Sequence, residues 1–248
     1  MPGPTEQLRE RMLAVLEGKN HWAWPAFSEG SVPLPRLLPH FQQEWEVYVR
    51  DFPVLIARIL GHGPPANVRA ALAGNLYEEQ TGGISGSTSH PELFLRMMEA
   101  CGFQRAQFAN VPLMPRAAAY REMLDRVSWG RPWLVGAAVL TLWVEGSVNE
   151  RRELAELHKG PPSDAEISEA MLRHPLVKFH RVPASALELV RVHKKVEGGH
   201  RQDAWDMVLQ NVGPGEDALV ETAMREARNL WLGFRDDVAE ACGIVRGT

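Results

Sequence analysis

The chain has 248 residues, with 27 Lys and Arg against 31 Asp and Glu, and a formal net charge of −4. Two cysteines are too few for a disulfide framework or a thiolate zinc site, and the absence of a Lys/Arg block argues against nucleic-acid binding. The longest uncharged apolar run, 132–144, is too short for a bilayer, which needs roughly 20 residues. The N-terminal residues contain no apolar stretch that could act as a secretory signal. We therefore expect a cytoplasmic protein that binds neither nucleic acid nor membranes.

Apolar residues recur at helical spacing along almost the whole chain, and the alternation that is typical of strands is hard to find. The helix over 37–60 should bend at Pro53, and the Gly/Ser-rich segment 81–89 should be a loop. No linker divides the chain, so we predict one all-α domain over 1–248, in which a helix and connector at 1–36 pack on the bundle. The predicted helices cover 5–16, 37–60, 64–80, 90–102, 115–128, 131–157, 164–174, 184–211 and 214–242.

One helical segment near the C-terminus carries two imidazoles and a carboxylate on the same face. His193, Glu197 and His200 follow the spacing i, i+4, i+7, which aligns side chains on a helix. That face is otherwise apolar, and such groups are costly to bury unless they are paired or bind a metal. The alternative is a His–Glu pair that is half exposed at the edge of the apolar stripe. Gly198 and Gly199 lower the helix propensity here, which indicates either close packing, local unwinding or a plain kink.

Three further candidates lie on other helices. Glu145 ends the apolar run and shares a face with apolar residues, so it needs a partner unless the helix end is already in solvent. Of the adjacent Glu78 and Glu79, we expect Glu79 to point inward, because its face carries Leu76, Leu72 and Val68. His90 follows the Gly/Ser loop in the first turn of the next helix. Each of these has a plain alternative, an exposed residue at a helix end or turn.

Together the candidates make three histidines and three carboxylates on four helical segments. Mixed imidazole and carboxylate ligands suit iron or manganese, and carboxylates can bridge two metals inside a helical bundle. Zinc remains an option for a subset of three ligands. We expect the other six histidines to be surface or satisfied core residues, and Cys101 and Cys242 to be ordinary packed residues rather than nucleophiles. Trp22 and Trp24 are candidates for bordering a pocket.

Five segments of the chain carry a family resemblance, in this order: EWEVYVRDFPVLIARIL, NLYEEQTGG, HPELFLRMMEACG, VEGSVNE and HKKVEGGH. They resemble the heme-oxygenase-like diiron oxidases and oxygenases, which are similar in fold to TenA and the pyrroloquinoline-quinone synthase. The resemblance covers about residues 37–240 and implies a single-domain bundle of about seven core helices. It also implies a six-ligand site for two iron ions, with Mn/Fe as the alternative metal pair, and no catalytic residue beyond the ligands. The matching positions are Glu79, His90, Glu145, His193, Glu197 and His200.

The resemblance further implies an O₂-dependent non-heme diiron oxidoreductase. Its partners would be O₂ and a small carboxylate-bearing substrate, an amino acid or a fatty acid, which the enzyme would cleave at a C–C or C–N bond or oxygenate at nitrogen. A homodimer is expected for this scaffold, and the substrate-binding residues are unknown. Two alternatives stay open, a metal-free enzyme like TenA or the pyrroloquinoline-quinone synthase, and a non-catalytic interaction protein on the same scaffold. A TenA-like enzyme would need a nucleophilic cysteine in its pocket.

Overall fold

A computed structural model describes residues 3–130 and 132–246, apart from the side chains of Glu197, Gly198 and His200. This described part contains helices and no strand, which confirms the all-α prediction. Two segments are π-helical, Trp45–Val49 and Ala138–Val144. The α-helices are α1 (Pro4–Glu17), α2 (Trp24–Ser28), α3 (Leu38–Glu44), α4 (Phe52–Gly61), α5 (Ala66–Thr81), α6 (His90–Ala100), α7 (Pro115–Trp129), α8 (Trp133–Ala137), α9 (Glu150–Glu156), α10 (Asp164–Arg173), α11 (Pro175–Lys178), α12 (Glu188–Leu209) and α13 (Glu216–Ala241).

The predicted single helix over 37–60 is wrong in detail. Helix α3 passes into the π-helical segment Trp45–Val49, the chain turns at residues 50 and 51, and α4 begins at Phe52. Pro53 lies in the first turn of α4, where its missing N–H and fixed φ are tolerated. The proline therefore starts a new helix instead of bending a continuous one.

The predicted helix over 131–157 is also interrupted. The π-helical segment ends at Val144, and α9 begins at Glu150. A Cβ placed on Gly146 would lie 2.0 Å from the carbonyl oxygen of Leu142 and 3.0 Å from Leu16 Cδ2. Only glycine fits in such a close approach. The chain leaves the helix here and becomes helical again at Glu150, four residues later.

The π-helical segment Ala138–Val144 runs through the centre of the bundle, since each residue from Ala138 to Trp143 is buried. Helices α12 and α13 both pack against it, and α12 also packs against α5 and α6. This arrangement brings the C-terminal half of α5, the start of α6, the end of the π-helical segment and the middle of α12 to one place. Within the described residues, no helix has both the length and the apolar character needed to cross a membrane.

Candidate metal centre

His90 lies between the two neighbouring glutamates of α5. Its Nδ1 is 2.7 Å from Glu79 Oε1, and its Nε2 is 3.2 Å from Glu78 Oε1. All three side chains are buried, with exposed fractions of 3% for His90, 6% for Glu79 and 0% for Glu78. The expectation that Glu79 points inward holds in the structure. Glu78 is buried as well, so it is not the solvent-facing member of the pair.

Glu78 also organises the loop between α5 and α6. Its Oε2 accepts hydrogen bonds from the backbone N–H of Ile84, at 2.8 Å, and of Ser85, at 3.0 Å. Gly82 ends α5 in the left-handed region, with φ +66°, and its N–H donates to the Glu78 carbonyl, as helix C-termini commonly require. The predicted loop is therefore built around a buried carboxylate that also contacts His90.

Helix α12 brings His193 to the same cluster. Its Nε2 lies 3.1 Å from His90 Nδ1, and the two ring centroids are 4.8 Å apart. Glu79, His90 and His193 each offer one ligand atom, and the three atoms lie within 4.8 Å of one another. A buried carboxylate with two imidazoles at such distances is a donor set that iron, manganese or zinc accepts.

Glu145 enters from the end of the central π-helical segment and is half buried. Asn75 of α5 donates from Nδ2 to both carboxylate oxygens of Glu145, each at 3.2 Å. The polypeptide on either side of Glu145 is held by Lys19, whose Nζ donates to the carbonyls of Trp143, Val144 and Gly146 at 2.7, 2.9 and 2.6 Å. Both the carboxylate and the helix end that carries it are thus fixed by side chains from other elements.

A cavity of about 240 Å³ lies at this junction and is lined by Glu79, His90, Glu145 and His193. The structure therefore brings four of the six predicted residues to one cavity. The side chains of the other two, Glu197 and His200, lie outside the described residues, although their backbone belongs to α12.

The titratable groups of the cluster are coupled. Burial alone would lower the pKa of His90, but the hydrogen bond and charge of Glu79, together with Glu78, raise it above its ordinary value. Burial alone would raise the pKa of Glu78, but the hydrogen bonds from Ser85, His90 and the Ile84 backbone hold it below its ordinary value. The charged forms of His90 and Glu78 are therefore both stabilised inside the bundle. The carboxylates make the potential at the cluster negative, which favours a cation.

Sequence reasoning missed three residues of the site: Glu78 and Asn75, which bond the cavity-lining His90 and Glu145, and Glu150, which lines the cavity itself. Glu78 and Asn75 share the helix face that looked less apolar than the face of Glu79, and neighbouring helices cover both faces. Glu150 also lines the cavity, but its oxygens accept hydrogen bonds from Trp205 Nε1, Arg201 Nε and the Ser147 backbone. Those contacts tie α9 to α12, so Glu150 has a structural role.

Comparison with known proteins identifies a family for the chain and a protein of similar structure. The chain matches the model of a family described as iron-containing redox enzymes over residues 39–232. A TenA homolog from Pseudomonas syringae pv. tomato str. DC3000 has a similar structure, with a TM-score of 0.65 at 15% identity, over 96% of this chain and 98% of that chain. This likeness confirms the heme-oxygenase-like fold, and no curated protein matches the sequence. The chain belongs to the family of iron-containing redox enzymes.

Proposed function

We propose that the protein is an O₂-dependent oxidase or oxygenase that binds two iron ions at the cavity described above. The ligands would be Glu79, His90, Glu145, His193, Glu197 and His200. The observation that supports the proposal most is the cluster of buried Glu79 and His90 with half-buried His193, whose ligand atoms lie within 4.8 Å of one another. When bound, the iron ions would supply the electrons that reduce O₂.

The protein's own residues would bind and orient the metals. The Nε2–H group of His90 would donate to Glu78, so that the other ring nitrogen, Nδ1, faces the cluster. An outer carboxylate of this kind fixes the tautomer of a ligating histidine. Asn75 would hold Glu145 ready in the metal-free protein. The carboxylates would offset positive charge as the metals become oxidised, which costs less inside a low-dielectric bundle than leaving that charge unpaired.

The main alternative is a metal-free enzyme like TenA, which the structural likeness to a TenA homolog keeps open. That alternative needs a nucleophilic cysteine in the pocket. Cys101 and Cys242 are buried, neither lines the cavity of Glu79 and His90, and burial raises the pKa of each thiol to about 11. A raised pKa makes a cysteine a poor nucleophile, so the positions of the two cysteines favour the iron proposal.

The substrate, partners and compartment belong to the same proposal. We expect a small carboxylate-bearing substrate, such as an amino acid or a fatty acid, a homodimer, and a cytoplasmic location. Mn/Fe is the alternative metal pair, because manganese accepts the same ligands. A non-catalytic interaction protein on this scaffold would show no metal dependence.

An anaerobic Fe(II) titration of the metal-free protein tests the function. We expect binding of about two irons per chain, as the carboxylate-bridged sites of helical bundles hold, followed by O₂ consumption when air is admitted. Glu145→Ala should reduce the iron content and stop O₂ consumption, whereas Glu29→Ala, a change at an exposed glutamate, should alter neither. The proposal would be rejected if the unmodified protein retained no more iron than a sample of the same protein treated with a chelator.

A further inference from the structure

A second and larger cavity, of about 500 Å³, adjoins the one that holds the candidate ligands. The two cavities share five lining residues, Tyr48, Val49, Val144, Leu189 and His193. A molecule in the second cavity would therefore reach the candidate metal centre past His193. Among the described residues, His193 is the only proposed ligand that lines this second cavity, so the rest of its lining needs an explanation of its own.

Aromatic rings form a continuous wall along the second cavity. The ring centroids of Trp24 and Trp231 are 6.0 Å apart, those of Trp24 and Phe27 are 6.0 Å apart, and His40 lies 5.0 Å from Phe27 and 5.1 Å from Phe41. These are the separations of edge-to-face and tilted aromatic pairs. A planar ring that enters this space would meet ring faces and edges at the same spacing.

Apart from Arg235 Nη1, which lies against Glu44, three buried nitrogen atoms of lining residues have no hydrogen-bond partner among the described residues. They are His40 Nδ1, His180 Nε2 and Arg235 Nε. Arg235 is only 3% exposed, and an unpaired buried donor costs free energy unless a bound molecule or water completes it. A purely alkyl ligand would leave these atoms unpaired, whereas a hydroxyl or amino group that reaches one of them would pair with that atom.

The cationic side chains that line this cavity already have partners within the protein. Arg235 forms an ion pair with Glu44 and donates to the Tyr48 hydroxyl at 3.2 Å, and the ammonium of Lys19 is bound by three backbone carbonyls. Burial lowers the pKa of His40 to about 4, so its ring is neutral at pH 7. Both cations therefore already have partners, and an ionic group on a ligand would have to displace one of these partners, which adds to the cost of burying it.

We propose that the second cavity binds an electrically neutral aromatic ring that carries one hydroxyl or amino group. We further assign this ring to the end of the substrate that lies away from the reacting atoms, a statement that rests on the proposed function. The ionic part of the substrate, its carboxylate, would then lie toward the metal cavity. The ring site itself does not depend on iron and can be tested in the metal-free protein.

Four small compounds separate the contribution of the aromatic ring from that of the hydroxyl group. We expect 4-fluorophenol to bind the metal-free protein in a ¹⁹F NMR titration, at least about threefold more tightly than 4-fluorotoluene, because one hydrogen bond is worth roughly that factor or more. In competition with 4-fluorophenol, phenol should likewise exceed cyclohexanol, which has the hydroxyl group but no aromatic ring. Equal binding of all four compounds would overturn the assignment, and so would the absence of binding at about 10 mM of free 4-fluorophenol, a concentration at which even a very weak ligand binds.

Variants then locate the bound ring. His40→Phe and His180→Phe keep an aromatic ring and remove the unpaired nitrogen, so each should cut the preference for 4-fluorophenol over 4-fluorotoluene. His62→Phe is the matched control, since His62 lines neither cavity and bonds the Ser128 carbonyl. An unchanged preference in both cavity variants would refute the site even if the probe binds. If the ring binds but iron does not, the proposed function is refuted and the ring site stands. If iron binds but the ring does not, the ring site is refuted and the proposed function stands.

Discussion

Glu78 and His90 are twelve residues apart in sequence and in contact in the structure, with 3.2 Å between Glu78 Oε1 and His90 Nε2. The same carboxylate holds the loop that separates them through the N–H groups of Ile84 and Ser85. One buried side chain therefore sets both the path of the loop and the orientation of the imidazole. Because Glu78 fixes both the loop and the imidazole, the length of the Gly/Ser loop helps to place His90 beside Glu79.

The first prediction concerns Glu78→Gln. The amide oxygen would take the backbone N–H groups of the loop, which leaves the amide NH₂ group facing His90 Nε2. The ring would then accept at Nε2 and carry its proton on Nδ1, the atom that faces Glu79. Because outer partners of this kind typically change metal affinity 10–100-fold, we expect Fe(II) to bind roughly ten times more weakly or worse in an anaerobic competition with a chelator.

Glu99→Gln provides the control for that change. Glu99 lies on the same helix as His90, is exposed and pairs with Arg105, so its loss should leave the Fe(II) affinity unchanged. If Glu78→Gln and Glu99→Gln bind Fe(II) equally well, Glu78 does not orient the imidazole.

Most of the fold could be predicted from helical periodicity, and the errors occur where local backbone geometry decides. The predicted helices at 164–174, 184–211 and 214–242 correspond closely to α10, α12 and α13. Periodicity does not report a π-helical segment or a turn that a close contact enforces. The interruptions near residue 50 and at Gly146 depend on such features, and Gly146 is identified only by the proximity of Leu142 and Leu16.

The candidate site could be predicted in part for the same reason. The inward placement of Glu79 follows from the face that it shares with Leu72 and Val68, which are both buried. The burial of Glu78 and Asn75 does not follow from the sequence pattern, because it depends on α5 being covered on two sides. Residue identity alone also does not indicate that His40 and His180, each with an unpaired nitrogen atom, line the same cavity.

A second prediction concerns Lys19→Met. The change would leave the three carbonyls around Glu145 without their donor. Hydrogen bonds to a charged group contribute about 1.5–3 kcal/mol each and are not additive, so we expect a loss of roughly 2–4 kcal/mol. For a chain of this size, that loss corresponds to a Tm lower by about 5–15 °C, measured by differential scanning calorimetry. Lys159→Met, at an exposed lysine, should shift the Tm by less than about 2 °C.

A third prediction concerns stability in acid. Asp51 is bonded by Arg50 and Arg121, and Asp125 by Arg121 and Arg58. Arg50 and Arg121 hold the pKa of Asp51 below its ordinary value despite burial; for Asp125, burial would raise the pKa, but Arg121 and Arg58 lower it. Because both pKa values are lower in the folded state, their stabilisation is complete above the ordinary pKa of about 4 and is lost as the pH falls through the lowered values.

Asp125→Asn tests this dependence. In urea titrations at pH 5, 4, 3 and 2.5 (roughly spanning the ordinary carboxyl pKa), the free energy of unfolding of the variant should fall less steeply with acid than that of the unmodified protein. Glu29→Gln, at an exposed position, should keep the steep dependence. An identical slope in the Asp125 variant would show that this arginine cluster does not control the acid limit.

The last prediction compares two glycines of the loop between α5 and α6. Gly82 and Gly86 have φ values of +66° and +73°, so alanine at either position costs about 1–2 kcal/mol of backbone strain. A Cβ on Gly82 would also lie 2.5 Å from both Ser87 Oγ and the Thr88 carbonyl oxygen, whereas a Cβ on Gly86 meets no atom within 4 Å. Gly82→Ala must therefore displace the loop that Glu78 holds, and it should lower both the Tm and the Fe(II) affinity. Gly86→Ala should lower the Tm only slightly and leave the Fe(II) affinity intact, so equal Fe(II) affinities in the two variants would show that the path of the loop does not place His90.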